Sequence, residues 1–170
     1  MPSILPDGDP APADGRLPSS AVQQVRQAAA CGVPRTFSLY VHVPFCTVRC
    51  GYCDFNTYTA EDLGPGASRS TYAGTVTGEL DFAAEALAAS GVPYRPLHTV
   101  FFGGGTPTLL PASDLVSILG RARELWGFEP GAEITTEANP DSVTAQSLHE
   151  LAAGGFTPVS YTHLTLPTKA

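Results

Sequence analysis

From Phe37 the chain alternates apolar and polar residues through FSLYVHV, and Pro44 stops the run, which predicts a strand over 37–43. The period then changes. Between Ser70 and Ala89 the apolar residues Tyr72, Val76, Leu80, Phe82, Ala83 and Leu87 recur at helical spacing, closed by Gly91-Val92-Pro93. A second strand is expected over His98–Phe102. Pro111-Ala112-Ser113-Asp114 then opens a helix capped by Ser113, with Leu115, Ile118, Leu119, Ala122 and Leu125 on one face up to Trp126. Ala132–Glu137 reads as a third strand. A third helix follows, capped by Asp141 or Ser142 and stopped after Ala153 by Gly154-Gly155. Strands alternating with helices long enough to cross over predict an α/β fold with a parallel sheet. Chemistry in such folds gathers at the C-terminal ends of the strands. Three unusual stretches fall there: CTVRCGYC after the first strand, GGGTP after the second and EANP after the third.

The two ends read differently. Residues 1–36 are rich in Pro, Ala, Gly and Asp and are expected to be a flexible leader, with a short helix over AVQQVRQAAA (Ala21–Ala30) and Cys31 at its end. After Gly155 a parallel α/β chain should enter another strand. Instead FTPVSYTHLTLPTKA carries two prolines and Lys169, the only lysine among nine basic residues. VSYTHLTLPTKA also looks like one reading frame of a sequencing adapter. The core is therefore expected over 37–157 and a non-native tail over 158–170.

Charge and composition narrow the classes. The chain has 170 residues, 43% of them apolar, and a formal net charge of −7. That suits one globular domain and offers no basic stripe for nucleic acid. No apolar run reaches the ~18 residues of a membrane span, and the N-terminus lacks a charged-then-apolar signal pattern. A cytoplasmic location is expected, where clustered cysteines point to metal or catalysis before disulfides.

Three of the four cysteines, Cys46, Cys50 and Cys53, lie within eight residues as C-x-x-x-C-x-x-C. Thiolates suit zinc or iron–sulfur clusters. Zinc would need a fourth ligand, with His42 or Cys31 available, but the paired spacing usual for structural zinc is absent. A four-iron cubane held by three cysteines leaves one iron open, useful where a small molecule chelates it. The glycine run Gly103, Gly104, Gly105, with Thr106 and Pro107, is either a tight strand-to-helix turn or a place where backbone approaches a ligand closely.

These residues carry a resemblance. CTVRCGYC after the first strand of a βα series, with GGGTP after the second, resembles the radical S-adenosylmethionine (SAM) superfamily. The resemblance implies the N-terminal half of a partial (β/α)6 TIM-like barrel, about three βα units. It implies a 4Fe–4S cluster on Cys46, Cys50 and Cys53. The methionyl amino and carboxylate groups of SAM would occupy the open iron, and an electron from the cluster would cleave the sulfonium. Gly104, Gly105 and Thr106 would line the methionyl group, and Tyr52 would pack against adenine.

The wider stretch YVHVPFCTVRCGYCDFNTYT, with FFGGGTPTLL and ITTEANP, resembles the oxygen-independent coproporphyrinogen III oxidase-like group and, within it, the heme chaperone branch. By that resemblance Tyr40 and Glu137 also touch SAM. A carboxylate at a strand's C-terminal end can accept from ribose hydroxyls or an ammonium; the alternative for Glu137 is a solvated loop acid or a helix-start charge. The oxidase branch has a further cysteine two residues after the third, where this chain has Phe55. The implied function is heme binding and delivery, with heme as cargo, heme-accepting proteins and an electron donor as partners. The alternative is radical oxidation of coproporphyrinogen III. The family's heme-binding histidine motif would lie beyond residue 157. His98 and His149 are not read as candidates.

Overall fold

The computed structural model describes residues 12–33, 35–51, 53–59, 64 and 68–157. Residues 1–11 of the leader, the adapter-like stretch 158–170, Tyr52 and most of the polar loop over 60–67 lie outside them. The elements are α1 (Ser19–Ala30), β1 (Ser38–Val43), α2 (Tyr72–Ala89), β2 (Leu97–Gly104), α3 (Ala112–Trp126), β3 (Phe128–Thr136) and α4 (Ala145–Ala153). Single 3-10 turns at Pro107–Leu109 and Pro140–Ser142 follow β2 and β3. The three strands form one parallel sheet in the order β1-β2-β3.

The alternation of each strand sorts its side chains onto two faces. Val41 and Val43 of β1, Val100 and Phe102 of β2 and Ile134 of β3 point to the helices. There they join Val76 and Leu80 of α2, Leu115, Ile118, Leu119 and Ala122 of α3, and Leu151 of α4 in one apolar cluster. Phe102, Val43, Val100, Leu115, Ile118 and Ala122 are completely buried. Removing each larger one from water contributes about 1.5–3 kcal/mol. The other face bears Tyr40, Phe101 and Glu133, all exposed.

Local chemistry explains where the elements depart from the sequence expectations. Phe82 is 63% exposed and does not join the α2 stripe. Two residues beyond Leu80, it is turned about 200° around the helix from a core position. Helix α3 is entered through Pro111 with no side-chain cap, so Ser113 is not its cap. Pro111 has no N–H and arrives already in an extended conformation. Helix α4 is capped by Thr144 in a reciprocal capping box with Ser147. Asp141 and Ser142, the expected caps, belong instead to the preceding 3-10 turn, where the Asn139 side chain accepts from the Asp141 N–H. Strand β3 starts at Phe128, ahead of the expected Ala132, because an edge strand tolerates Pro130.

Within 1–36, α1 is docked rather than free. The Leu17 N–H donates to Ser90 Oγ at 2.8 Å, Arg26 Nη2 donates to Gly91 O at 2.8 Å, and Val22 is buried. These contacts sit where α2 ends and the chain turns back toward β2, so α1 covers the edge opposite the strand C-termini. At the far end Thr157 donates its N–H to Ile134 O at 2.9 Å, so the chain begins to pair with the free edge of β3. No helix among the described residues is long and apolar enough to cross a membrane.

The packing assigns different costs to two phenylalanines of the chain. Phe102→Ala is expected to destabilise by about 3–5 kcal/mol, whereas Phe82→Ser stays within about 0.5 kcal/mol. Urea titration of both variants followed by circular dichroism measures this. Equal losses would contradict the facing described here.

Candidate functional site

All three strands deliver their last residues to one edge. Pro44 ends β1, having no N–H for the ladder, and Phe45 turns inward with 3% of its surface exposed. Cys46 N–H then donates to Tyr58 O at 2.9 Å, and Tyr58 N–H donates to Pro44 O at 2.7 Å. These two bonds close residues 46–57 into a loop with a fixed base. From the helix side Tyr72 holds that base. Its ring meets Phe45 edge-on at 5.7 Å, and its hydroxyl donates to His42 O at 2.5 Å. Burial, with smaller contributions from Glu79 and Tyr40, pushes the Tyr72 phenol well above its ordinary range.

Inside the loop Cys53 N–H donates to Cys50 O at 3.1 Å, and Cys53 Sγ lies 3.9 Å from the buried Thr57 hydroxyl. Cys46, Cys50 and Cys53 are all free thiols, the first and third partly buried and Cys50 exposed. Among the described residues no three His, Cys, Asp or Glu side chains converge on a single ion position. The fit to a cluster lies in the donor chemistry, three soft ligands in one loop, and in how the loop is seated.

The seat is the glycine run. Gly105 N–H donates to Val43 O and Thr106 N–H to Phe45 O, both at 2.7 Å, so the β1–β2 ladder continues past the strands into the two loops. A Cβ on Gly105 would lie 2.5 Å from Phe45 O, 2.9 Å from Val43 O and 3.0 Å from Cys46 Sγ. Gly104 has φ +112°, and a Cβ there would meet the His42 ring at 2.6 Å. The Gly104 N–H donates to Glu137 Oε2 at 2.9 Å. The backbone donors of Gly104, Gly105 and Thr106 are therefore all committed within the chain. A carboxylate approaching this turn would find no N–H from these three residues. Both readings of the run hold at once: it is a structural turn, and the cysteine loop rests directly on it.

On the face away from the helices the register lays out two rows. Tyr40, Phe101 and Thr135 form the first, and His42 pairs with Gly103 in the second. Tyr40 and Phe101 stack at 5.9 Å with rings 19° apart. Glu137 follows β3 and is fixed by its N–H donating to Phe102 O at 2.9 Å. The Tyr40 phenol is raised, first by desolvation and then by the Glu137 carboxylate, although half of the ring is exposed. The Tyr40 hydroxyl lies 2.9 Å from His42 Nδ1, and His42 Nε2 lies 2.9 Å from Asn56 O.

The structure thus brings Tyr40, Cys46, Gly104, Gly105, Thr106 and Glu137 to one edge, with Cys50 and Cys53 in the loop above. Tyr52 lies outside the described residues. His42 has both ring nitrogens engaged, and Cys31 caps α1 at the other end of the sheet, so neither stands as a fourth thiolate-site ligand. From sequence Tyr72 is expected only in the apolar stripe of α2, and Phe101 and Tyr58 are not among the candidate site residues. The alternation of YVHV and HTVFF puts Tyr40, His42 and Phe101 on one face, which is the only signal the sequence offers. His98 pairs with Glu129 at 2.7 Å, and His149 is exposed.

Comparison with known proteins gives a family. The family description "Radical SAM superfamily" matches residues 40–168. The heme chaperone HemW of Mycobacterium tuberculosis is 45% identical over 124 residues, covering 73% of this chain and 30% of that protein. HemW of Escherichia coli is 34% identical over 123 residues, covering 72% and 30%. Among solved structures, coproporphyrinogen III oxidase (HemN) from Escherichia coli, a radical SAM enzyme, is similar with a TM-score of 0.62 and 30% identity. That match covers 75% of this chain and 27% of the other. The chain spans less than a third of the length of these relatives.

The seating of the loop predicts a sharp difference between two glycines. Gly105→Ala is expected to cost about 1–3 kcal/mol by overpacking and to raise the reaction rate of Cys46 with a thiol reagent. Gly51→Ala, with nothing within 4 Å of its Cβ position, leaves both unchanged. Denaturation and thiol-labelling rates on the two variants decide it.

Proposed function

Since the chain belongs to the radical SAM superfamily, we propose that Cys46, Cys50 and Cys53 hold a 4Fe–4S cluster whose fourth iron takes the amino and carboxylate groups of SAM. The observation that carries this is the cysteine loop itself, three free thiols in a loop whose stem accepts backbone hydrogen bonds from the glycine turn at the C-terminal edge of a parallel sheet. The chemistry such a cluster supplies is one electron to a bound sulfonium. The residues of this chain do the holding. Gly104, Gly105 and Thr106 would line the methionyl group. Tyr40 and Glu137 take hydrogen bonds from the remaining ammonium protons or the ribose hydroxyls. By the family resemblance, Tyr52 would pack against the adenine.

For the whole protein we propose heme binding and delivery, with heme as cargo and an electron donor and heme-accepting proteins as partners. Similarity to HemW supports this, as does Phe55, which stands where the oxidase branch carries a further cysteine. The likeness to HemN supports a second reading, oxidation of coproporphyrinogen III.

Anaerobic reconstitution with iron and sulfide tests the first proposal. Alanine at Cys46, Cys50 or Cys53 should each abolish the cluster absorbance, and alanine at Cys31 should leave it intact. Colourless protein with stoichiometric zinc, or a cluster retained in the Cys50 variant, would refute it. The second proposal is tested on the protein carrying its full C-terminal sequence. Stable heme uptake and transfer to an apo-acceptor without loss of carbon dioxide from coproporphyrinogen III is expected. Turnover of that porphyrinogen would favour the oxidase.

A further inference from the structure

Nothing so far gives His42 a part, yet its ring touches three components of the site. It follows Tyr40 by two residues on the same face of β1, its backbone oxygen accepts from Tyr72, and its Nε2 reaches Asn56 O in the cysteine loop. Its ring fills the space a side chain at position 104 would need. The hydrogen-bond roles follow from the partners. A carbonyl oxygen only accepts, so Nε2 must carry the proton. In the neutral ring Nδ1 is then a bare acceptor, and the Tyr40 hydroxyl must donate to it.

We propose that His42 is a positioning residue which, as the Nε2–H tautomer, ties the cysteine loop to β1 through Asn56 and turns the Tyr40 hydroxyl so that its oxygen lone pairs face the ligand. The consequence is a choice of sign. With its proton spent on His42, Tyr40 presents an acceptor, which suits the ammonium and ribose hydroxyl donors of SAM. A tyrosine free to rotate would present donor and acceptor alike. One residue thereby couples the loop that holds the thiols to the group that reads the ligand. The glycine at 104 leaves room for that coupling, since any Cβ there would displace the imidazole. The ligand part of this inference rests on the SAM reading proposed above, whereas the tautomer does not.

The test separates the two. Two-bond nitrogen–proton spectra of the 15N-labelled 170-residue chain, with His42 assigned by its loss in His42→Gln, should show the Nε2–H tautomer. Tyr40→Phe should shift the Nδ1 resonance. An Nδ1–H tautomer, or an Nδ1 resonance indifferent to Tyr40→Phe, would overturn the assignment. On the anaerobically reconstituted chain, SAM binding per cluster is measured by equilibrium dialysis for Tyr40→Phe, His42→Gln and the double variant. Each single change is expected to weaken binding about tenfold, as for one lost hydrogen bond to a charged or ribose group. The double variant should be no weaker than the worse single one. Multiplying losses, or His42→Gln binding as tightly as the parent, would show that His42 does not act through Tyr40. A parent chain that takes up no cluster defeats the cofactor reading, and the nitrogen spectra still decide the tautomer.

Discussion

The site depends on two backbone hydrogen bonds of 2.7 Å, from Gly105 N–H to Val43 O and from Thr106 N–H to Phe45 O. They carry the parallel ladder beyond the ends of β1 and β2, into segments that would otherwise be free loops. Peptide groups this close leave no room for a side chain between them, so position 105 has only hydrogen to spare. Every other fixture of the cysteine loop acts on a base already set by this pair. Tyr72 and Phe45 brace it from the helix side, Tyr58 closes it, and His42 holds it from the open face. A loop carrying three thiols is thus fastened through its stem. The segment bearing Cys50 is left exposed.

The two faces of the sheet divide stability from chemistry. Val41, Val43, Val100, Phe102 and Ile134 go to the helices, and their burial supplies the apolar core. Their neighbours Tyr40, His42, Phe101 and Glu137 go to the other side, where polar contacts and stacking replace close packing. Because the period of a strand is two, neither set can slip without exchanging faces with the other. Packing on one side therefore fixes the register of the residues on the other. The Tyr40–Phe101 stack, between register partners on adjacent strands, is the direct product of that locking.

The strands, the helices and the cysteine–glycine edge are legible in the sequence because they follow from period and from residues with few alternative uses. What the sequence conceals is competition between near-equal local choices. Asp141, Ser142 and Thr144 are all competent caps, and only the path out of β3 selects Thr144 with Ser147. Phe82 is apolar and sits among core positions in sequence, yet its angular offset puts it in solvent. Pro130 and Gly131 look like breakers, and the edge position of β3 admits them. His42 could be placed on a face by alternation, but the carbonyl it meets belongs to a loop whose path no period describes. The glycine run was ambiguous for a deeper reason. A turn that seats a loop and a turn that approaches a ligand ask for the same residue.

Geometry also bears on why three cysteines stand where four would close an ion's shell. His42 is the nearest candidate for a fourth donor, and both of its nitrogens are spent on Tyr40 and Asn56. Recruiting it would release the carbonyl it holds and loosen the loop that bears the thiols. Cys31 lies at the end of α1, on the edge opposite the strand C-termini. The donor set in the loop is therefore three soft sulfurs. Phe55 sharpens the same point. At 57% exposure it contributes little to the core, so packing does not demand an aromatic there.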